Sequence, residues 1–290
     1  MSAPVVDEDD AFLGVHHVYE PYRSGLPKLG PYFRELWRRR EFAYEMSRSS
    51  IRATQSNTVL GQLWNVLNPL LLGAVYYLLV VILRGGSSNP LPASYFPYLL
   101  GTLFLFYFVS GSMNGGASSV IGAGRLIMNT AFPRILLPLS TVRTAFYKFL
   151  PTMIVFYGAY LLAGLRPNPV QLLAIPWFLL VAVFSTGLAM MLATFQVYFR
   201  DTSSFLPYFT RIWLYASPVL WLPEAVPDKF KALEVFNPLF ALIGGWGDIL
   251  IEGKVPAVGV WLAALAWALG ALVAGLMLFM SRERDFAVRL

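Results

Sequence analysis

Apolar residues run on for about a membrane's thickness six times along the chain: Gly61 to Leu83, Tyr95 to Met113, Leu139 to Leu162, Leu172 to Phe199, Ser203 to Leu222 and Val258 to Met280. Crossing the hydrocarbon takes roughly 20 mostly apolar residues per helix, so each run predicts one span. A β-barrel would show alternating segments of about ten residues instead, and helices and closed barrels are the only backbones that satisfy themselves in lipid. The pattern predicts an all-α polytopic membrane protein with six transmembrane helices. Pro69, Pro151 and Pro176 fall inside predicted spans, where kinks rather than breaks are expected because neighbouring helices can satisfy the freed carbonyls.

The segments outside the spans are uneven. Residues 1–30 read as a polar tail, 31–58 as an amphipathic helix in the interface, and 59–290 as the six-span domain. In "PYFRELWRRREFAYEMSRSSIRAT", Phe33, Trp37, Tyr44 and Ile51 recur at four and seven residues with Leu36 and Ala43 beside them, while Arg34, Arg38, Arg39 and Arg48 occupy other faces. Such a helix anchors in the headgroup plane, and its basic face can meet a cytosolic protein at the same time. Between spans five and six the chain is too apolar for a loop and too interrupted for a span. Two short extracytoplasmic helices are predicted there, Phe230 to Val235 and Pro238 to Ile251. Between spans two and three, "NTAFPRILLP" offers a threonine cap, a proline and a basic residue, which suits a short helix across the membrane surface.

Composition sharpens this picture. Hydrophobic residues make up 57% of the chain and charged residues 13%, against about 25% charged in an ordinary globular domain. Residues 1 to 60 hold eight lysines and arginines; Arg125, Arg134, Arg143 and Lys148 follow span two, and Arg282, Arg284 and Arg289 end the chain. The positive-inside rule makes that side cytoplasmic. Both termini are then expected inside, in a multi-pass protein of the cytoplasmic membrane. The +6 formal charge serves topology and attraction to anionic headgroups, and gives no reason to invoke nucleic acid.

The chain contains no G-x-x-x-x-G-K-[ST], G-x-S-x-G or H-E-x-x-H motif. Cysteine is absent, and the two histidines, His16 and His17, are sequence neighbours that point apart on a helix. No catalytic residue and no metal site are predicted. Ion-coupled carriers depend on membrane-embedded carboxylates, yet Asp201 is the sole acidic residue between Glu45 and Glu224. An aspartate at a helix centre costs about 2.5 to 3.5 kcal/mol on insertion scales, so Arg200 and Asp201 should mark the cytoplasmic turn from span four into span five. Asp201 is expected to cap span five by accepting from the amides of Ser203 or Ser204. Arg200 is expected to reach headgroups or a carboxylate such as Glu41 or Glu45. A glycan-assembly enzyme would need catalytic acids, and the acidic cluster on the outer side, Glu224 to Glu252, is dispersed among lysines; a scaffold without a channel stays open.

Five short stretches together resemble the type-2 ABC exporter permease family. "SNTVLGQLWNVLNPLLL" is similar to the family's approach to its first span, through Leu60, Gly61, Trp64, Leu67 and Pro69; "NTAFPRILLPLS" resembles the connection between spans two and three, and "VYFRDTSSF" the arginine-aspartate mark ending span four. "YASPVLW" and "FNPL" match the S-P and N-P marks that follow. The resemblance runs from about residue 30 to the C-terminus and leans toward the branch that exports O-antigen, teichoic acid or mycobacterial galactan. High alanine, leucine and arginine usage tilts it toward galactan. The resemblance implies a homodimer with two copies of a separate ATPase, which would hold ATP and magnesium, and a polyprenyl-linked polysaccharide as cargo. It implies ATPase coupling through Phe132, Pro133, Arg134 and Arg125, and a membrane-surface role for Trp37, Arg38, Arg39 and Arg40 on the interfacial helix. A channel for a hydrated glycan wants aromatic faces, and Trp64, Tyr76, Tyr77, Tyr95, Tyr98 and Tyr107 are candidates; interfacial belts and packing use the same residues.

Overall fold

The computed structural model describes residues 29–55, 60–84, 91–222 and 236–290, and every regular element among them is helical. The elements are α1 (Leu29–Arg38), α2 (Arg40–Gln55), α3 (Trp64–Arg84), α4 (Tyr95–Gly122), α5 (Gly124–Asn129), α6 (Leu136–Leu162), α7 (Ala174–Tyr198), α8 (Thr202–Tyr215), α9 (Pro238–Gly247), which runs on as a π turn Asp248–Glu252, and α10 (Val258–Arg282). Five helices are long and apolar enough to cross a membrane, one each from α3, α4, α6, α7 and α10. The predicted helix Phe230 to Val235 lies outside the described residues.

α4 is the centre of the bundle. Its residues are buried on every face, with Leu99, Leu100, Leu103, Leu105 and Val120 fully enclosed, and α6 and α7 pack along it. α3 is the opposite case: Leu71, Val75, Leu78, Ile82 and Leu83 remain exposed, as suits a helix on the rim with lipid or another subunit beside it. α10 lies closest to α7, because a Cβ on Gly275 would come within 2.3 Å of the Gly187 carbonyl oxygen. Small residues at such crossings let membrane helices approach backbone to backbone.

Three predicted elements differ. The fifth span is not a continuous helix: α8 is 14 residues long, about 21 Å at 1.5 Å per residue, short of the roughly 30 Å hydrocarbon core. It stops at Tyr215 because Pro218 disfavours helical geometry at Ser217, and residues 216–222 continue as turns. The predicted interfacial helix is two helices, α1 and α2, with Arg39 at the join. The predicted surface helix around Phe132 and Pro133 is an extended connection; the short helix there is α5, and Thr130 ends it rather than starting one. The prolines sort by position. Pro69 and Pro151 sit within α3 and α6, which run on through them, whereas Pro176 occupies the first turn of α7, where its missing N–H is no loss.

Non-helical backbone inside a bundle needs partners, and α4 supplies them. The Tyr98 hydroxyl donates to the Pro218 carbonyl at 2.7 Å, Tyr95 to Leu220 at 2.6 Å, and Thr102 to Val219 at 3.1 Å. Asn237 joins the broken span to α9: its amide donates to the Ala216 carbonyl at 2.9 Å and the Ser217 hydroxyl at 3.1 Å. Its oxygen accepts from the Leu239 amide at 3.1 Å and the Trp213 indole at 2.9 Å. α9 is thereby drawn into the bundle, with Leu239, Leu242, Ile243 and Trp246 buried. Trp246 donates to the Gly101 carbonyl at 3.1 Å and Trp177 to that of Leu242 at 2.8 Å. The S-P and N-P marks, twenty residues apart in sequence, are one hydrogen-bonded unit.

Candidate substrate path and coupling surface

The basic end of the bundle is assembled from α1, α2, α5, the 130–135 connection, the α7–α8 turn and the C-terminal segment. These share a second core containing Val120, Ile127, Ile135, Val197, Phe279 and Phe286. At its centre is Glu283, which follows α10. The Tyr32 hydroxyl donates to its Oε2 at 2.6 Å and the Arg134 amide to its Oε1 at 2.6 Å, while the Arg134 guanidinium donates to the Glu283 carbonyl. Burial pushes the Tyr32 phenol well above its ordinary value, helped by the Glu283 charge, so it stays protonated and donates; burial lowers the Arg134 guanidinium. One carboxylate thus ties α1, the 130–135 connection and α10 together.

Sequence reading missed Glu283 because it lies in "SRERDF", which reads as a basic tail. The available signal was register. Phe279, Glu283 and Phe286 are spaced four and three residues apart, one helical face, and both phenylalanines are fully buried.

The interfacial residues divide by role. Arg39 donates to the Ala131 carbonyl at 2.7 Å and pairs with Glu35, and Phe42 meets Phe132 with ring centroids 4.9 Å apart. Arg39 and Phe132 therefore fasten the N-terminal helices to the connection, beside an open cleft of about 680 Å³ that Pro133 and Arg134 also line. Tyr32, Leu36, Ala43 and Ser47 face the bundle, Ser47 accepting from Thr144 at 2.9 Å. Phe33 and Trp37 face away, with Trp37 71% exposed, while Tyr44 stacks under the Arg143 guanidinium of α6 at 4.3 Å. Arg40 stacks on Trp37 at 4.9 Å, and Arg38 and Arg125 are exposed.

At the α7–α8 turn, Asp201 occupies the N-cap position but its side chain makes no capping hydrogen bond. The expected cap is absent. The turn is closed instead by Gln196, whose amide donates to the Arg200 carbonyl at 2.9 Å and the Ser203 hydroxyl at 3.1 Å. Arg200 reaches neither Glu41 nor Glu45; it donates to the Arg289 carbonyl at 3.4 Å. The Asp201 carboxylate points outward, exposed.

The six aromatic residues separate as well. Tyr95 and Tyr98 are each 4% exposed and hold the 216–222 segment. Tyr77 packs against Tyr95 and Phe96, and Tyr76 meets Tyr215 edge to face. Trp64 and Tyr107 line a smaller cleft between α3, α4 and α6.

An ABC-2 type transporter model matches residues 42–250, the stretch from α2 through the π turn after α9. A permease protein of the O-antigen export system, RfbA, from Myxococcus xanthus is 30% identical over 262 residues, 88% of this chain and 97% of the relative. Two permeases of the same name from Klebsiella pneumoniae are 27% and 28% identical over 72% of this chain and 79% and 80% of theirs. The chain belongs to the ABC-2 type transporter family, and with its five long apolar helices it is a multi-pass membrane protein.

Proposed function

We propose that this chain is the transmembrane subunit of an ATP-driven exporter of a lipid-linked polysaccharide, acting as a homodimer on two copies of a separate ATPase. The observation that carries this reading is the likeness to an O-antigen export permease over nearly that protein's whole length. The sequence has no phosphate-cradling loop of its own, which fits an energy source on another chain. The basic end is then cytoplasmic. Arg125, Asp201 and the exposed Trp37–Arg40 face are the groups that meet the ATPase or the headgroups, while Phe132, Pro133 and Arg134 transmit movement through Glu283. The relatives' names favour an O-antigen-like glycan; galactan rests on composition alone.

The test is co-expression with the candidate ATPase and reconstitution of the purified complex in vesicles. ATP-dependent transfer of a polyprenyl-linked glycan is expected. Failure of the two proteins to associate, with no ATP-dependent transfer, would refute the reading.

A further inference from the structure

Spans α3, α4, α6 and α7 contain no carboxylate, yet Lys148 lies in the middle of α6. It is half-buried and forms no ion pair with any described residue. An ionisable group at that depth marks a ligand path when no partner neutralises it. Lys148 lines a cleft of about 300 Å³ with Trp64, Asn65, Asn68, Tyr107 and Thr152. That is the lower end of small-ligand sites, room for a headgroup rather than a glycan. The side chains of Trp64, Asn65 and Asn68 are engaged in no hydrogen bond among the described residues.

The charge decides the ligand class. Lysine brings three donors and no acceptor, the indole one donor, and each amide two donors and a carbonyl acceptor, so the cleft is polar in both senses but carries one uncompensated positive charge. Neutral sugar hydroxyls would leave the Lys148 charge without a counter-ion, because the cleft holds no carboxylate. An acceptor-rich, negatively charged group satisfies it.

Lys148 lies below the headgroup plane, at a depth from which a lysine directs its ammonium toward the near boundary. From it to the far end of α6 at Leu162 is about 21 Å at 1.5 Å per residue, which leaves it some 9 Å inside the near boundary of a 30 Å hydrocarbon layer. The cleft opens where α3 begins, beside the exposed rim of that helix.

We propose that the cleft between α3, α4 and α6 binds a phosphate ester at the membrane boundary, with Lys148 as its counter-charge, Asn65 and Asn68 as oxyanion donors, and Trp64 and Tyr107 as walls for the adjoining group. Its source is either the isoprenoid carrier of the cargo, which rests on the function proposed above, or a bilayer phospholipid.

The test uses the full-length protein in phosphatidylcholine vesicles with a photoreactive polyprenyl diphosphate, reading crosslinks by mass spectrometry. Capture within 64–72, 107–111 and 145–152 is expected. Lys148→Gln should lower capture about tenfold, the loss of one charge-assisted hydrogen bond, while Lys148→Arg keeps most of it. Asn65→Ala with Asn68→Ala gives an independent loss should Lys148→Gln fold poorly. Competition by unlabelled polyprenyl diphosphate, and not by phosphatidylglycerol, assigns the site to the carrier; equal competition by phosphatidylglycerol assigns it to bilayer phospholipid. Undiminished capture in folded Lys148→Gln and in the double variant, or crosslinks confined to other segments, would overturn the proposal. Because binding is read without ATP, capture with no export would refute the exporter and leave the site standing.

Discussion

At the far end of the bundle, the broken fifth span is held by tyrosine, threonine, tryptophan and asparagine donating to carbonyls. At the basic end, α1, the 130–135 connection and α10 meet on the one carboxylate of Glu283. Both ends must satisfy irregular backbone, and they use different chemistry. The far network is neutral, with Asn237 carrying four of its bonds and Tyr95, Tyr98 and Thr102 bonding the same segment independently. The basic network centres on Glu283, with Tyr198 donating to Asp285 at 2.9 Å and Arg39 to the Ala131 carbonyl at 2.7 Å around it, beside a cleft and exposed cations. A buried, shared charge is strong while complete and costly when one partner goes. On the function proposed above, the far end is the rigid frame and the basic end the part that a partner would switch.

The largest expected effect is at the frame. Asn237→Ala removes four hydrogen bonds at once and leaves buried groups of Trp213, Leu239 and Ala216 unpaired, at about 1–3 kcal/mol each. Thermal unfolding in detergent should show a loss of about 3–5 kcal/mol. Asn237→Asp, which keeps both acceptor bonds, should lose less.

Next comes Glu283→Ala, with an expected loss of about 2–3 kcal/mol because the Tyr32 hydroxyl and Arg134 amide lose their acceptor. Hydrogen exchange should quicken in α1 and in 130–135 while 216–222 stays protected. An equal rise at both ends would erase the distinction drawn here.

A smaller change is expected for Tyr32→Phe, about 1–2 kcal/mol from one lost bond to a charged acceptor. The Tyr32 phenol lies above its ordinary 10.0 in the fold, so folding favours the protonated form. Its contribution is complete below pH 10 and shrinks as pH rises past the unfolded value. A stability profile from pH 8 to 11 should fall less steeply in Tyr32→Phe than in wild type.

The smallest stability effect belongs to Asp201→Ala. With no cap to lose, unfolding should shift by under about 0.5 kcal/mol, while ATPase stimulation by the permease falls. A loss of a full capping contribution, about 1 kcal/mol, would restore the structural role predicted from sequence.

Hydropathy located α3, α4, α6, α7 and α10 because length and apolar content decide insertion, and those are local properties. It overran at span five because residues 216–222 are as apolar as a helix, and what lets them unwind is Tyr95, Tyr98 and Thr102, more than a hundred residues away. α9 was legible as an interrupted apolar segment; its burial against Trp177 and Gly101 was not. The Phe132 connection read as helical from a threonine and a proline, and its extended form follows from Arg39 and Phe42 fastening it from another element. Asp201 stood out by its isolation in sequence, and the fold leaves it exposed while Gln196 closes the turn.

The frame-and-switch account is tested most directly by distances between spin labels, which the absence of cysteine makes simple to place. One pair, Phe33→Cys with Met128→Cys, spans the basic end, and another, Leu162→Cys with Val255→Cys, the far end; all four positions are exposed. Each is measured in the ATPase complex diluted with unlabelled permease, with and without ATP. The account expects the first distance to change by several ångströms on ATP binding, an order set by known rigid-element shifts, and the second to stay within error. A far-end change as large as that at the basic end, or no change at the basic end in a complex that hydrolyses ATP, would contradict it.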